Sequence, residues 1–207
     1  MRQERTQVGI VGAGPAGLTL ARLLEVEGIE TVVLEDRSRD YVEHRIRAGV
    51  LEQRTADLLV DLGVGERLQR EGIVHHGIEL QFDGERHRVP LSELADGRTI
   101  VIYGQTEVVK DLIAARLEGG LPLLFEAQDV SVQELDSKRP RIAFAHGGKR
   151  HELECDVIAG CGGLHTTVDD VGVRITYVHQ WVTQFGKVIA GSITFQRSTA
   201  VRMEPTL

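Results

Sequence analysis

The sequence predicts an α/β fold in which a parallel sheet, packed against helices, is extended by antiparallel strands. The first observation is a strand, a helix and a second strand within residues 7–36, "QVGIVGAGPAGLTLARLLEVEGIETVVLED". So short a crossover implies parallel strands joined in the right-handed sense. The second observation is a strand-rich stretch over residues 123–161, where the Gly147-Gly148 pair between two alternating runs is a direct hairpin signal.

Length, composition and charge are those of an ordinary folded domain. The chain has 207 residues, of which 42% are hydrophobic and 27% charged, enough for one domain with or without a small appendage. A net charge of -7 argues against a broad nucleic-acid footprint, because such surfaces carry clustered Lys and Arg. The sequence shows neither a signal peptide nor a membrane span, so we expect a cytoplasmic protein.

The two cysteines, Cys155 and Cys161, are too few for a disulfide framework and lack the paired spacing of a zinc site. We expect buried thiols in a reducing compartment and no metal site.

The spacing of apolar residues and the positions of glycines predict the other elements. Apolar residues from Leu18 continue at helical spacing to Gly28, and "ETVVLE" follows as a strand. Residues 78–103 suggest short antiparallel strands laid beside this first unit. Two further helices are expected, one with apolar positions Leu51, Leu58, Leu59 and Leu62 that ends at Gly63, and one that starts at Thr106 and stops at Gly119 and Gly120.

Gly12, Gly14 and Gly17 form the pattern GxGxxG where the first strand hands over to the helix. In such a Rossmann-like unit the first glycine allows a tight turn, the second leaves room for a pyrophosphate and the third lets helix and strand pack closely. Glu35 ends the second strand and is placed to accept hydrogen bonds from a ribose hydroxyl. A purely structural glycine turn would not need this acid. Because Glu35 would repel a 2'-phosphate, the pocket should hold FAD or NAD rather than NADP.

Arg45 and Arg47 are expected immediately before a helix, about ten residues beyond Glu35. A pair of cations there can neutralise a pyrophosphate or hold a charged co-substrate. Taken alone, the same pair also fits solvated surface arginines.

Five stretches narrow the choice of cofactor. They are "VGIVGAGPAGL", "VVLEDRSRDYVEHRIRAGVLEQ", "GIVHHGIELQFDGERHRVPL", "VIYGQTEVVKDL" and "CDVIAGCGGLH". In this order, from about residue 6 to His165, the sequence closely resembles the FAD-dependent aromatic monooxygenases of the p-hydroxybenzoate hydroxylase type. "RIRAGVLEQ" and "YGQTEV" are far more specific than the glycine pattern, and an ordinary NAD-dependent dehydrogenase explains neither.

The resemblance implies FAD as cofactor and assigns its contacts. Glu35 would face the adenosine ribose, and Gln105 the ribityl region. The pyrophosphate would be contacted by Gly12, Gly14, Ala16 and Gly17. The flavin side and its phosphates would be contacted by Arg45, Ile46, Arg47, Ala48, Gly49 and Val50.

The resemblance also implies NADPH as co-substrate, docking on the surface near Arg47 and His165, and the ortho-hydroxylation of a small phenolic substrate with dioxygen. For His75 and His76, near a family-like histidine, a structural role is preferred.

Two departures from the family affect the predicted function. Position 162 is glycine where the family carries an acid that serves the flavin and nicotinamide region. Family members also continue for about as many residues again, and no phenol-binding residue can be placed in the tail, where Tyr177, Trp181 and Arg197 read as packing and surface residues. We therefore expect a FAD-binding domain over residues 1–165 and a divergent, strand-rich tail over 166–207, truncated relative to the family.

Three alternative functions are consistent with these observations. The chain is a monooxygenase family member that needs another chain to supply the missing half, or a non-catalytic module that binds FAD or NAD, or an inactive remnant. Unpaired strand edges in such a fragment would favour self-association or a complementing chain.

Overall fold

The computed structural model describes residues 3–135 and 137–161. The strands of the described part are β1 (Gln3–Val11), β2 (Thr31–Leu34), β3 (Val50–Glu52), β4 (Ile73–His75), β5 (Ile78–Phe82), β6 (Glu85–Val89), β7 (Ile100–Ile102), β8 (Leu123–Leu124), β9 (Gln128–Gln133), β10 (Arg141–His146) and β11 (Lys149–Gly160). The helices are α1 (Pro15–Val26), α2 (Arg39–His44), α3 (Gln53–Asp61), α4 (Glu66–Glu71), α5 (Leu91–Leu94) and α6 (Gln105–Glu118).

A mixed six-stranded sheet carries the fold, in the order β8-β2-β1-β11-β10-β9. The four strands β8, β2, β1 and β11 run parallel, and β10 and β9 continue the sheet in antiparallel pairing. The last strand of the described part, β11, lies beside the first, with Val11 opposite Gly160. The expected α/β architecture with added antiparallel strands is confirmed.

The main core lies where α1 and α6 cover one face of the parallel strands. Ile10 and Val33 from the sheet, Leu18 from α1 and Ile113 from α6 are almost completely buried in one cluster. Both helices also bury several apolar side chains along one face. Burial of that face, rather than intrinsic helix propensity, fixes the two helices on the sheet.

Several predicted boundaries are confirmed. Gly28 and Gly63 have φ of 71° and 72° just beyond α1 and α3, as expected of glycines that end helices. Gly147 and Gly148, with φ of 56° and 73°, turn the chain between β10 and β11, where His146 pairs with Lys149. This is the two-residue hairpin that the sequence predicted.

Two boundary predictions are wrong. Leu51 is not in a helix but in β3, where it pairs with Val101, so Arg45 and Arg47 precede a short strand rather than a helix. The helix expected to start at Thr106 begins at Gln105 with Gly104 as its N-cap, and the Thr106 hydroxyl instead donates to the Arg45 carbonyl at 3.2 Å. In both places a contact with a distant segment overrides the local pattern.

Three predictions for the end of the chain lie outside the described residues. They are the strands expected in the tail over residues 166–207, the roles given to Tyr177, Trp181 and Arg197, and the positions of Gly162 and His165. Within the described ranges, no helix has both the length and the apolar character needed to cross a membrane.

The hairpin of β5 and β6 has one apolar and one polar face. Ile78, Leu80 and Phe82 alternate along β5 and are 41%, 46% and 55% exposed. On the other face Glu79 and Arg86 form an ion pair at 3.3 Å. An isolated two-stranded sheet is at best marginally stable in water, and a contiguous apolar surface favours association.

We therefore expect Phe82→Ser to raise the protein concentration at which self-association begins, measured by light scattering over a dilution series. Gln81→Ser is the matched control, because Gln81 is an exposed neighbour on the opposite face of the same strand. Equal effects of the two substitutions would show that the apolar face does not drive association.

Candidate functional site

The glycine-rich turn lies at the carboxyl end of β1 and leads directly into α1. Gly12 has φ of 110°, a conformation that L side chains rarely adopt, and its N–H donates to the Leu34 carbonyl at 2.7 Å. Gly14 is the N-cap of α1 and has no side chain to cap it. The first N–H groups of the helix have no partner within the helix and mark its positive end. This is the geometry that accepts a phosphate group.

Gly14 and Gly17 are needed for different reasons. A Cβ at Gly17 would lie 2.0 Å from the Gly12 carbonyl oxygen and 3.1 Å from Cys161 Cβ, so only glycine lets α1 approach the turn this closely. A Cβ at Gly14 would meet no atom within 4 Å. The space in front of Gly14 is therefore open on the side where the sequence predicts the pyrophosphate.

The Glu35 carboxylate follows β2 and reaches the same turn. Its Oε2 accepts a hydrogen bond from the Ala13 N–H at 2.7 Å, and its Oε1 accepts one from the Arg37 N–H at 3.1 Å. Because each carboxylate oxygen has two lone pairs, both oxygens can still accept from a ribose. Burial, and then the hydrogen bond with Asp36, raise the pKa of Glu35.

The segment Arg45–Val50 links α2 to β3 and is mostly exposed. Arg45, Ile46, Arg47, Ala48 and Val50 all present exposed side chains, whereas Gly49 is half-buried. The Arg45 guanidinium lies 5.9 Å from the centre of the Tyr41 ring, within range of a cation–π contact. Two cations on an open loop are available to an anionic ligand.

This segment lies against the start of α6. The Tyr103 N–H donates to the Gly49 carbonyl at 2.9 Å, and the Thr106 hydroxyl bonds the Arg45 carbonyl. A Cβ at Gly49 would come within 2.8 Å of Gly104 Cα. The structure thus brings Gln105, the first residue of α6, next to the arginine segment.

Helices α1 and α6 begin at the same edge of the sheet. Arg116, near the end of α6, donates to the carbonyl of Thr31 at 2.8 Å, and Thr31 is the first residue of β2. Because α6 has 14 residues and is therefore about 21 Å long, its start lies toward the carboxyl ends of the parallel strands. That edge also holds the glycine turn and Glu35. Ligands of open α/β sheets bind outside this edge, where the strand order reverses.

A cavity of about 110 Å³ lies elsewhere, on the antiparallel side of the sheet. Ser131, Ala143 and Glu152 are among its lining residues, and they come from β9, β10 and the first part of β11. It is therefore separate from the glycine turn, which lies where β1 ends.

One polar cluster beside the site was not predicted from the sequence. Arg67 of α4 bonds Asp111 and Glu107 of α6, and Asp111 also accepts from the Tyr103 hydroxyl. The only sequence signal was the location of Tyr103 within "YGQTEV". His165 lies outside the described residues, and no cluster of metal-binding side chains occurs within the described ranges.

Comparison with known proteins gives a family and several relatives. A family model described as FAD binding domain matches residues 5–201. The p-hydroxybenzoate hydroxylase of Acinetobacter baylyi is 47% identical over 165 residues, which cover 80% of this chain and 41% of that protein. The chain therefore spans about two fifths of the length of this curated relative.

Solved structures agree with the fold. The OxyS anhydrotetracycline hydroxylase of Streptomyces rimosus superposes with a TM-score of 0.61 at 28% identity, over 77% of this chain and 32% of that one. The p-nitrophenol 4-monooxygenase of Pseudomonas putida gives a TM-score of 0.62 at 18% identity, over 77% and 40% of the two chains. At 18% identity the second comparison supports the fold alone. The resemblance found in the sequence is confirmed.

Proposed function

Because the chain belongs to the FAD binding domain family, we propose that it is the FAD-holding part of an aromatic-ring monooxygenase. The observation that carries the proposal is the coincidence of an open phosphate site at Gly14 with 47% identity to a p-hydroxybenzoate hydroxylase. Fold alone would not carry it, since one fold hosts many functions.

The open turn at Gly12, Gly14, Ala16 and Gly17 would hold the FAD pyrophosphate on the start of α1. Glu35, already bonded to the turn through Ala13, would accept from the adenosine ribose. The flavin side would lie along Arg45–Val50, with Gln105 at the ribityl chain. The contacts of Gly49 and Arg45 with the start of α6 support this assignment.

FAD, when bound, would carry electrons from NADPH to dioxygen so that a phenol ring receives one oxygen atom. The residues of this chain would bind and orient FAD and leave its flavin end accessible. Arg47 is exposed and cationic, which suits the docking of an anionic dinucleotide such as NADPH. His165 is the second residue proposed for that role.

Substrate binding and turnover would need more polypeptide than residues 1–165. The chain covers 41% of the p-hydroxybenzoate hydroxylase and 32% of an anhydrotetracycline monooxygenase from Streptomyces rimosus. We propose that a complementing polypeptide, or a homo-oligomer, completes the site for a small aromatic substrate. We also propose that residues 166–207 form a separate tail. The free thiols of Cys155 and Cys161 suit a reducing cytoplasm.

A second candidate is a module that binds FAD or NAD without turnover. Gly162 favours it, because glycine cannot supply the charge and hydrogen-bond acceptor that the family resemblance implies at this position.

The test of function mixes the FAD-loaded chain with NADPH and 4-hydroxybenzoate, alone and with the remaining polypeptide of the Acinetobacter baylyi hydroxylase. We expect NADPH oxidation and ring hydroxylation only in the complemented mixture. A parallel mixture with benzoate, which lacks the phenol hydroxyl, measures NADPH oxidation that is not coupled to hydroxylation. Hydroxylation by the chain alone would show that no complement is needed, and a FAD-loaded chain that stays inactive in both mixtures would favour the binding module.

A further inference from the structure

Arg67 of α4 is held by α6 through several polar contacts. Its Nε donates to Asp111 Oδ1 at 2.8 Å, its Nη1 lies 2.6 Å from Glu107 Oε2, and its Nη2 donates to the Glu107 carbonyl at 3.1 Å. Its side chain is 30% exposed and that of Asp111 is 18% exposed. Charge-assisted hydrogen bonds of this kind are strong and directional.

Tyr103 extends this cluster toward the candidate site. The side chain is 4% exposed, its hydroxyl donates to Asp111 Oδ2 at 2.6 Å, and the Arg67 guanidinium lies 5.7 Å from the ring centre. Burial and the Asp111 carboxylate raise the pKa of Tyr103, so its hydroxyl keeps its proton at neutral pH. One carboxylate therefore fixes both the arginine and the tyrosine.

The backbone of Tyr103 also contacts the segment Arg45–Val50. Its N–H holds the Gly49 carbonyl at 2.9 Å, and three residues later Thr106 holds the Arg45 carbonyl. The close approach of Gly49 to Gly104 leaves little room for the segment to shift toward α6. The backbone of Tyr103 therefore helps to hold Arg45–Val50 in place.

Packing of α4 on α6 does not by itself require these polar groups. Leu68 of α4 and Leu112 of α6 are both buried in the main hydrophobic core. Partly buried ion pairs carry a desolvation cost that apolar side chains would avoid. A partly buried polar cluster of this kind can serve to specify one arrangement of the chain, and the side chain that it fixes here is that of Tyr103.

We propose that Arg67, Tyr103 and Asp111 are positioning residues that hold the segment Arg45–Val50 in place for the flavin half of FAD. They act through the backbone of Tyr103 and do not touch the cofactor themselves. This inference rests on the proposed function, because it requires that Arg45–Val50 faces the flavin.

The test compares the affinities of the chain for FAD and for ADP, which has the adenosine and pyrophosphate but no flavin. Tyr103→Phe, Asp111→Asn and Arg67→Lys are titrated with each ligand by calorimetry. Arg67→Lys keeps the charge but loses the fork that reaches two carboxylates and a carbonyl. We expect the Kd for FAD to rise about tenfold, equivalent to about 1.4 kcal/mol, while the Kd for ADP changes less than about twofold, equivalent to about 0.4 kcal/mol.

Arg70→Lys is the matched control. Arg70 lies on the same helix, is 61% exposed and pairs only with Glu66 and Glu71 among the described residues. We expect it to leave both affinities unchanged. Unchanged ADP affinity in the Tyr103→Phe variant would also show that this variant is folded.

The outcomes separate the inference from the proposed function. If the unmodified chain binds neither ligand, the proposed function fails. If the unmodified chain binds FAD but the three variants leave its affinity unchanged, or weaken FAD and ADP equally, the cluster has no positioning role or only a general structural one, and the inference is overturned.

Discussion

Gly17→Ala is expected to destabilise the chain strongly and to lower its melting temperature. The new methyl group would lie 2.0 Å from the Gly12 carbonyl oxygen, and this oxygen belongs to the backbone of the turn and cannot rotate away. Relief would require α1 to move off the sheet, where Leu18 and Ala21 are almost fully buried. Overpacking of a core typically costs about 1–3 kcal/mol and sometimes more, out of a total stability of about 5–15 kcal/mol.

Gly14→Ala is the matched substitution three residues earlier, with the opposite expectation. Its methyl group would enter open space, and the φ of -75° at Gly14 suits any residue. We expect a melting temperature close to that of the unmodified chain but a loss of FAD affinity of about 100-fold or more, equivalent to about 2.7 kcal/mol, because the methyl group occupies the approach to the phosphates.

Thermal unfolding followed by circular dichroism, together with FAD titration, checks the pair. A Gly14→Ala chain that binds FAD normally would place the pyrophosphate elsewhere. A Gly17→Ala chain that melts at the normal temperature would contradict the close packing of α1 on the turn.

Glu35→Gln is expected to weaken FAD binding about tenfold, since hydrogen bonds to a charged group are worth about 1.5–3 kcal/mol. The carboxylate bonds the Ala13 and Arg37 N–H groups and would also accept from ribose hydroxyls. An amide has one acceptor oxygen in place of two, so it cannot satisfy all of these donors.

The same residue predicts a pH dependence. Burial raises the pKa of Glu35 above its ordinary value of 4.5, so the folded chain binds this proton more tightly than the unfolded chain. Its contribution to stability is therefore present below pH 4.5 and is lost as the pH rises through the higher, folded pKa. Ribose hydroxyls favour the ionised form, so FAD affinity should rise with pH over that window.

Calorimetric titration with FAD at several pH values, with Glu35→Gln as the comparison, measures this effect. The unmodified chain should bind FAD more tightly as the pH rises, and the Glu35→Gln chain should show a flatter profile. Identical profiles would mean that Glu35 does not bind the ribose.

The first strand, helix and strand were predictable because all their signals are local. The glycines, the apolar spacing from Leu18 and the acid at Glu35 lie within 30 residues and are fixed by close packing around Gly17. The Gly147-Gly148 hairpin was predictable for the same reason, since two consecutive glycines with positive φ reverse the chain by themselves.

Elements fixed by distant partners were not predictable. Leu51 belongs to β3 only because residues 50–52 pair with residues 100–102. Helix α2 has no buried residue and therefore no apolar pattern, and its local signals are polar: the Ser38 side chain accepts from the Tyr41 N–H, and Arg39 pairs with Glu43 one turn later. The insertion of β11 beside β1 likewise depends on partners about 150 residues apart in sequence, a separation at which local propensity carries no information.

The same distinction between local signals and distant contacts applies to the candidate site. Gly12, Gly14, Gly17 and Glu35 lie within one strand-helix-strand unit, and the sequence alone predicted that they share one site. The cluster of Arg67 and Asp111 joins charges 44 residues apart, and each of these residues alone resembles a solvated helix charge.

The measurement that tests the central claim most directly is the absorbance spectrum of the purified chain after incubation with FAD and removal of free ligand. We expect flavin bands at close to one FAD per chain, and their loss in the Gly14→Ala variant. A correctly folded chain that retains no flavin would contradict this expectation.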